Sequence, residues 1–340
     1  MIILTNSLTQ IVDEGAAKVA NSLIRRMKVA EPSLTVVSCG AEDDGCDVHI
    51  PANKLLLNGK LAALIHGRRE HVLYVPSYAR MLPTAIRALI LSVYARRRLS
   101  VLLPMRSPMN RLARMLLRWS GAEIICLSAD AEAFYRRELG GQVQYLRTGG
   151  DTARFVPVSS ERKAELRSKY GIPGDKPVVL HVGHMSAGRN IGLMGQLSDA
   201  FHAVLVVSAQ TEDSVLRATL AACPNLTLID TYQPNIEEIY QLADAYLFPV
   251  EKALNCIDVP LSALESASCG VPVVTTAYGE MQQLLDAEGF YHLADTSPET
   301  VNALLRLAVQ EKKNPRQAVL AYDWSGAVET LLRQHREKNA

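Results

Sequence analysis

Two side chains, Glu265 and Arg189, stand in surroundings that suit chemistry. Glu265 lies in the stretch Ile257 to Thr276, which reads as a helix running into a strand. Pro260 has the fixed φ suited to a first helical turn, Leu261, Leu264 and Ser268 follow at helical spacing, and Gly270 offers a left-handed stop. Val271 to Thr276 is then a β-branched run suited to a buried parallel strand. The N–H groups near Leu261 and Ser262, at the positive end of the helix dipole, suit an anion. A carboxylate one turn further in can accept hydrogen bonds from a ribose or sugar hydroxyl while phosphates sit on the helix start. The plain alternative is an ordinary helix and strand with one exposed glutamate. Arg189 belongs to Val182-Gly-His-Met-Ser-Ala-Gly-Arg-Asn190, where a strand runs into a loop with two basic positions, His184 and Arg189, five residues apart. Cations at a strand end suit an anionic ligand, and where charge develops on a leaving group they stabilise the transition state more than the ground state. A neutral His184 would supply one donor and no charge, and its state depends on pH. For Arg189 a solvated loop charge is the other reading.

These residues must be positioned by alternating strands and helices. Met1 to Asn6 reads as a first strand, and a helix opening at Gly15 follows, with apolar positions 16, 19, 20, 23, 24 and 27 on one face. Strand patterns recur at 34–39, 71–75, 99–103 and 123–128, with helices near 83–97 and 131–139. The turn-rich Arg147-Thr-Gly-Gly-Asp-Thr-Ala-Arg-Phe-Val-Pro157 marks a boundary. A second alternating series follows, with strands at 177–182, 202–207, 226–230, 245–250 and 271–276. Its helices fall near 160–170, 191–197, 213–222, 235–242, 261–269, 281–287 and 298–310. Strands alternating with helices predict parallel sheets covered on both faces, and 340 residues suit two domains.

In its second half the chain resembles the family 4 retaining glycosyltransferases of the GT-B fold. In that family a helix carrying a ribose-binding Glu runs into a Gly-x-Pro-Val-Val strand; here the match is Leu264-Glu265-Ser266-Ala267 followed by Cys269-Gly-Val-Pro-Val-Val274. The family's Val-Gly-Arg-x-x-x-x-Lys-Gly loop places Arg189 at the Lys position and His184, after Gly183, at the Arg position, both on the donor diphosphate. The boundary segment looks like the family's Gly-(Val)-Asp-Thr-x-x-Phe-x-Pro, with Gly150 where Val is usual. Tyr322-Asp-Trp324 and the helix after it resemble the closing helix that braces the first domain, with Trp324 as a packing anchor. The resemblance covers residues 145 to 330 well and the first domain only in layout. Departures accompany it. Ile257 stands where the family has a second Glu that contacts the donor sugar, and the adjacent Asp258 is the substitute, with a shorter arm. The usual Gly-x-Gly after the second strand of the later domain is Ser208-Ala209-Gln210, and Leu103-Pro-Met-Arg106 offers no first-domain histidine.

The resemblance implies an α/β GT-B architecture of two doubly wound Rossmann-like domains facing a central cleft. Residues 1–152 would bind the acceptor, 153–318 the donor, and 319–340 would form a helix crossing back to the first domain. The implied activity is retaining transfer of a sugar from a UDP- or GDP-sugar to a carbohydrate or lipid-linked acceptor hydroxyl, in glycan or glycolipid biosynthesis. No cofactor or metal is expected, because basic groups and a helix N-terminus hold the diphosphate. Asp43-Asp44, in an acidic turn, reads as a solvated loop. Glu265, Arg189 and Asp258 carry the catalytic expectation, with His184, Gly183, Leu261 and Ser262 on the donor. Tyr232 would flank the base or pack in the core, and Gly15 would let backbone approach a phosphate or simply start its helix. A GT-B nucleotide-binding scaffold without activity and a nucleotide-sugar epimerase are the alternatives.

Composition narrows the field. Six cysteines without a Cys-x-x-Cys pair suit reduced, buried thiols. No apolar run approaches the roughly 18 residues that span a bilayer, and Met1 to Asn6 lacks a basic leader, so a cytoplasmic protein is expected, either free or peripheral on the cytoplasmic face of the inner membrane. The net charge of +1 hides a basic first half, where residues 1–150 hold 20 Lys/Arg against 12 Asp/Glu. In Ser107 to Trp119, Arg111, Arg114 and Arg118 share one helical face and Leu112, Met115, Leu116 and Trp119 the other. With Arg96, Arg97, Arg98 and Arg106 this suits docking on an anionic membrane or acceptor, or a helix covering the sheet with its charges in water. Sparse aromatics and a near-neutral total argue against nucleic acid. The absence of Gly-x-Gly-x-x-Gly after a first strand argues against a dinucleotide dehydrogenase.

Overall fold

The computed structural model describes residues 1–6, 8, 15–40, 45–76, 80–207, 213–251 and 256–339. Asp43-Asp44 and Ser208-Ala209-Gln210 lie outside the described residues. The chain forms two compact units: Met1–Thr148 with Ile257–Val259 and Trp324–Ala340, and Gly149–Cys256 with Pro260–Asp323.

The first unit is built on seven parallel strands: β1 (Ile2–Thr5), β2 (Thr35–Ser38), β3 (Val48–His49), β4 (Val72–Val75), β5 (Leu99–Leu103), β6 (Glu123–Cys126) and β7 (Val143–Tyr145). They lie in the order β3-β2-β1-β4-β5-β6-β7. Their Val, Ile and Leu side chains are buried on both faces, as a parallel sheet covered by helices requires. The covering helices are α1 (Gly15–Ala30), α2 (Gly59–Arg68), α3 (Met81–Tyr94), α4 (Arg111–Ser120) and α5 (Ala129–Leu139). Asn58, Asn110 and Ser128 start α2, α4 and α5 by accepting hydrogen bonds from first-turn amides, which supplies partners that the helix itself lacks.

The second unit holds α6 (Ser160–Lys169), β8 (Val178–Gly183), β9 (His202–Val207), α7 (Ser214–Ala221), β10 (Leu226–Ile229), α8 (Ile236–Gln241), β11 (Ala245–Phe248), α9 (Leu261–Ser268), β12 (Val273–Thr275), β13 (Phe290–His292), α10 (Pro298–Glu311) and α11 (Arg316–Val319). Its parallel sheet runs β10-β9-β8-β11-β12-β13. Each sheet therefore reverses its strand order beside its first strand, at β1/β4 and at β8/β11. In doubly wound sheets ligands bind beyond the carboxyl ends of the strands at such a reversal. The expected pair of doubly wound halves is present. The last helix, α12 (Trp324–Asn339), belongs to the first unit and packs on α1, with Trp324 buried and the Arg26 guanidinium carbon 6.0 Å from its ring centre.

Several local expectations change. The helices expected near 191–197 and 281–287 are 3-10 segments, Ile191–Gln196 and Gly279–Leu284; the first contains Gly192 and Gly195, which weaken an α-helix. Strands β3, β7 and β13 have two or three residues, too few for a periodicity to show. Of the four apolar residues grouped on one face of α4, only Leu116 packs on the core; Ala113, Leu117 and Ser120 face the interior, whereas Leu112, Met115 and Trp119 are 47%, 37% and 57% exposed. Helix α4 packs closely on α3, and small Ala113 and Ser120 fit there better than an indole. Ser120 is fixed on that side by the Ser92 hydroxyl, which donates to its carbonyl. Among the described residues no helix is long and apolar enough to cross a membrane. All six cysteines are free thiols.

Candidate active site

The carboxyl ends of β8 and β11 and the start of α9 hold most of the expected residues. Helix α9 begins after Pro260, which supplies no side-chain cap and whose carbonyl accepts from Ala263 and Leu264 amides. The amides of Leu261 and Ser262 are thus the first of the helix, at its positive end. Gly270, at φ +76°, lets the Val271 amide turn back to the Ser266 carbonyl and close the helix before β12. Glu265 is buried rather than exposed, and the Tyr240 hydroxyl donates to it at 2.9 Å. Burial, and then the neighbouring carboxylate, hold the Tyr240 phenol well above its usual pKa, so it remains a donor.

Rings connect Glu265 to the other end of the site. Tyr240 meets Phe155 edge-on at 5.5 Å and Tyr246 at 6.0 Å, and Tyr246 stacks on His181 at 6.0 Å with 17° between planes. The Tyr246 hydroxyl accepts from the Val182 amide at 3.3 Å, donates to the Val182 carbonyl at 3.2 Å and lies within hydrogen-bonding reach of the Ser262 hydroxyl. One buried tyrosine thereby ties the last turn of β8 to the first turn of α9. At the end of β8 the Arg189 guanidinium lies directly against Gly183; a Cβ on Gly183 would collide with Arg189 Nη1. Arg189 is buried. Its loop is held by the Arg189 amide on the Ser186 carbonyl and by Asn190 Nδ2 on the Pro249 carbonyl, just beyond β11. His184 is half-buried in the same loop.

His181, two residues before Gly183, is fully buried, and its Nδ1 lies 2.8 Å from the Leu247 carbonyl. Because a carbonyl only accepts, Nδ1 carries the proton and Nε2 is a bare acceptor. Burial, with Arg189 adding to it, lowers the pKa to about 4, so the imidazole is neutral at physiological pH.

The remaining expectations fall elsewhere. Asp258 lies in the first unit, buried, where it accepts from the Arg106 amide at 2.6 Å and from Arg106 Nε at 2.9 Å. Burial raises its pKa, and Arg106 opposes the rise. Gly15 is also in the first unit, where its bare Cα faces Ile257: an added Cβ would sit 3.1 Å from Ile257 Cδ1. An apolar side chain therefore occupies the position at which the resemblance expected a second glutamate. Tyr232 is 57% exposed and is not part of the core. Sequence reading passed over His181, Tyr240 and Tyr246, and placed Arg106 on a basic surface rather than on Asp258. For His181 and Tyr246 the available signal was a lone imidazole or phenol inside an otherwise apolar strand, which marks a buried polar group in need of a partner.

Residues 176–310 match the sequence model of the family described as glycosyl transferases group 1. No curated protein matches the chain in sequence. Among solved structures, a glycosyltransferase from Rickettsia africae superposes with a TM-score of 0.79 at 12% identity, covering 99% of this chain and 98% of that one. Anabaena Alr3699/HepE, solved in complex with UDP, gives 0.77 at 15% identity over 99% of each chain. WaaG, a glycosyltransferase involved in lipopolysaccharide biosynthesis, gives 0.65 at 15% identity over 97% and 94%. At such identities the likeness carries the fold. The chain has the GT-B fold, and its residues 176–310 resemble the group 1 glycosyl transferases.

Proposed function

We propose that the protein transfers a sugar from a UDP- or GDP-sugar to an acceptor hydroxyl, with retention at the anomeric carbon. The observation that carries this reading is the buried link through Tyr240, Tyr246 and His181. It joins Glu265 and the start of α9 to the end of β8, where Arg189 lies against Gly183, at the carboxyl end of one parallel sheet beside its strand-order reversal. Glu265 takes the ribose hydroxyls, the Leu261 and Ser262 amides a phosphate, and Arg189 with His184 the diphosphate; Tyr232 flanks the base. In the reaction the bond from C1 to the phosphate oxygen breaks. The acceptor oxygen bonds C1 on the same face, and its proton passes to the departing phosphate, so no protein base is needed. Arg189 and the helix dipole balance the charge on the leaving group without a metal. That Anabaena Alr3699/HepE was also solved with UDP-glucose supports a nucleotide-sugar donor.

The test is calorimetry of the purified protein with UDP and GDP, followed by product analysis with sugar nucleotides. One nucleotide is expected to bind with a Kd of order 1–100 μM, and the matching donor to lose its sugar with retained configuration. Binding of neither nucleotide would sink the reading. Tight binding with no turnover on any acceptor would favour a scaffold, and an isomerised donor without transfer would favour an epimerase.

The acceptor we assign is a carbohydrate or lipid-linked one met at an anionic membrane surface, which places the reaction in glycan or glycolipid synthesis. The support is the exposed stripe Leu112, Met115 and Trp119 on α4, with Val93 of α3 also exposed. Exposed Arg96, Arg97, Arg98, Arg111 and Arg118 lie on the same two helices and the turn after α3. Apolar side chains rimmed by cations suit the headgroup boundary. The protein should float with vesicles of phosphatidylglycerol but not with pure phosphatidylcholine. Arg111→Ala with Trp119→Ala should lower that partitioning by about tenfold or more, from about 1 kcal/mol per lost cation plus the lost indole. Equal flotation of wild type and double variant would remove the surface from consideration.

A further inference from the structure

We propose that His181 is a positioning residue for Arg189: in the donor complex its neutral Nε2 accepts one guanidinium N–H and holds the cation across Gly183, leaving the other N–H groups to the diphosphate. This inference rests on the donor-site reading of Arg189. Three observations on β8 and its loop converge on it. His181 and Gly183 are two residues apart on a parallel strand, so they face the same side of the sheet. The volume that a Gly183 side chain would fill is bounded by Arg189 Nη1 and, at 3.1 Å, by His181 Nε2, so both groups border one point. His181 Nε2 is buried and has no hydrogen-bond partner among the described residues, while Nδ1 is fixed on the Leu247 carbonyl. A buried lone pair beside a cation with five N–H groups has one natural use, which is to accept from that cation.

The chemistry also explains why an imidazole suits the place. A carboxylate there would neutralise the guanidinium and compete with the diphosphate for it. A protonated imidazole would repel it. Neutral Nε2 orients the cation and leaves its full charge for the ligand. Tyr246, stacked on the ring, and the Leu247 carbonyl hold the imidazole in the required tautomer and plane.

The experiment compares His181→Phe, which keeps a ring against Tyr246 but removes both nitrogens, with His181→Gln, which restores an acceptor near the Nε2 position. Two readouts are taken on folded protein, verified by circular dichroism: Kd for UDP and GDP, and the crystallographic position of the Arg189 guanidinium. His181→Phe should weaken binding of the accepted nucleotide about tenfold or more, the usual size of a lost hydrogen bond to a charged group, and Arg189 should leave Gly183. His181→Gln should stay within about threefold of wild type, with Arg189 in place. A Phe variant with unchanged affinity and unmoved Arg189 overturns the proposal, and so does a Gln variant as impaired as Phe. If the wild type binds neither nucleotide, the donor-site reading fails instead, and the Arg189 position in the two variants still decides whether His181 holds it.

Discussion

Arg189→Ala is expected to lower the rate of sugar transfer by about 10²–10³, the range measured when one preorganised stabiliser of a developing oxyanion is removed. The expectation follows from where the guanidinium sits. It is buried at the mouth of β8, pressed against a glycine, with its loop anchored to the end of β11. A cation fixed there needs little reorganisation when charge grows on the leaving diphosphate. A flexible surface lysine would first have to be immobilised. Arg189→Lys should therefore rescue only part of the loss, since an ammonium cannot both span Gly183 and present a fork to two phosphate oxygens. Steady-state kinetics on the matching sugar nucleotide decide it. The fall should appear in kcat as well as KM, because the interaction strengthens as the bond to C1 breaks. An Ala variant within threefold of wild type would assign the diphosphate charge to other groups.

The largest effect on stability is expected at Gly289, well away from the chemistry. Gly289 turns the chain into β13 at φ +79°, and a Cβ there would sit 2.7 Å from both Cδ and the backbone nitrogen of Pro315. The obstacle is a ring and backbone, so it cannot swing aside. Moving it would disturb the next residue, Arg316, whose guanidinium donates to the Phe155 carbonyl at 2.7 Å, to the Thr152 carbonyl at 2.9 Å and to the Ser268 carbonyl at the end of α9. Left-handed strain of about 1–2 kcal/mol and overpacking of about 1–3 kcal/mol together predict a loss of roughly 3 kcal/mol or more for Gly289→Ala. That is a large share of the 5–15 kcal/mol typical of a domain. Gly171→Ala, in the same unit, is the control: φ is +66°, but nothing lies within 4 Å of the added methyl. It should cost only the strain, about 1 kcal/mol. Urea unfolding followed through the second unit separates the two; equal midpoints would show that the contact with Pro315 relaxes freely.

What could be read along the chain, and what could not, divides by range. Both doubly wound halves were legible because alternating strands and helices leave apolar periods of two and 3.6 residues. The start of α9 after Pro260, its end at Gly270 and the place of Glu265 within it were legible because they depend on local backbone preferences and one helical turn. The two-residue β3 and three-residue β13 were not, since their pairing with neighbours defines them. In α4 both stripes are amphipathic at the same spacing, and a period alone does not say which one meets the sheet. Packing against α3 chose the side with Ala113 and Ser120.

The sequence by itself determined which local units form and which residues within them could meet a nucleotide, because caps, helical turns and strand alternation act over a few neighbouring residues. Only the tertiary structure decided their company. Tyr240 reaches Glu265 across 25 residues, Tyr246 reaches Val182 across 64, and Asp258 turns to Arg106 across 152. Such pairings depend on which strands lie side by side and which polar groups are shut away from water together, so they arise from burial rather than from spacing along the chain.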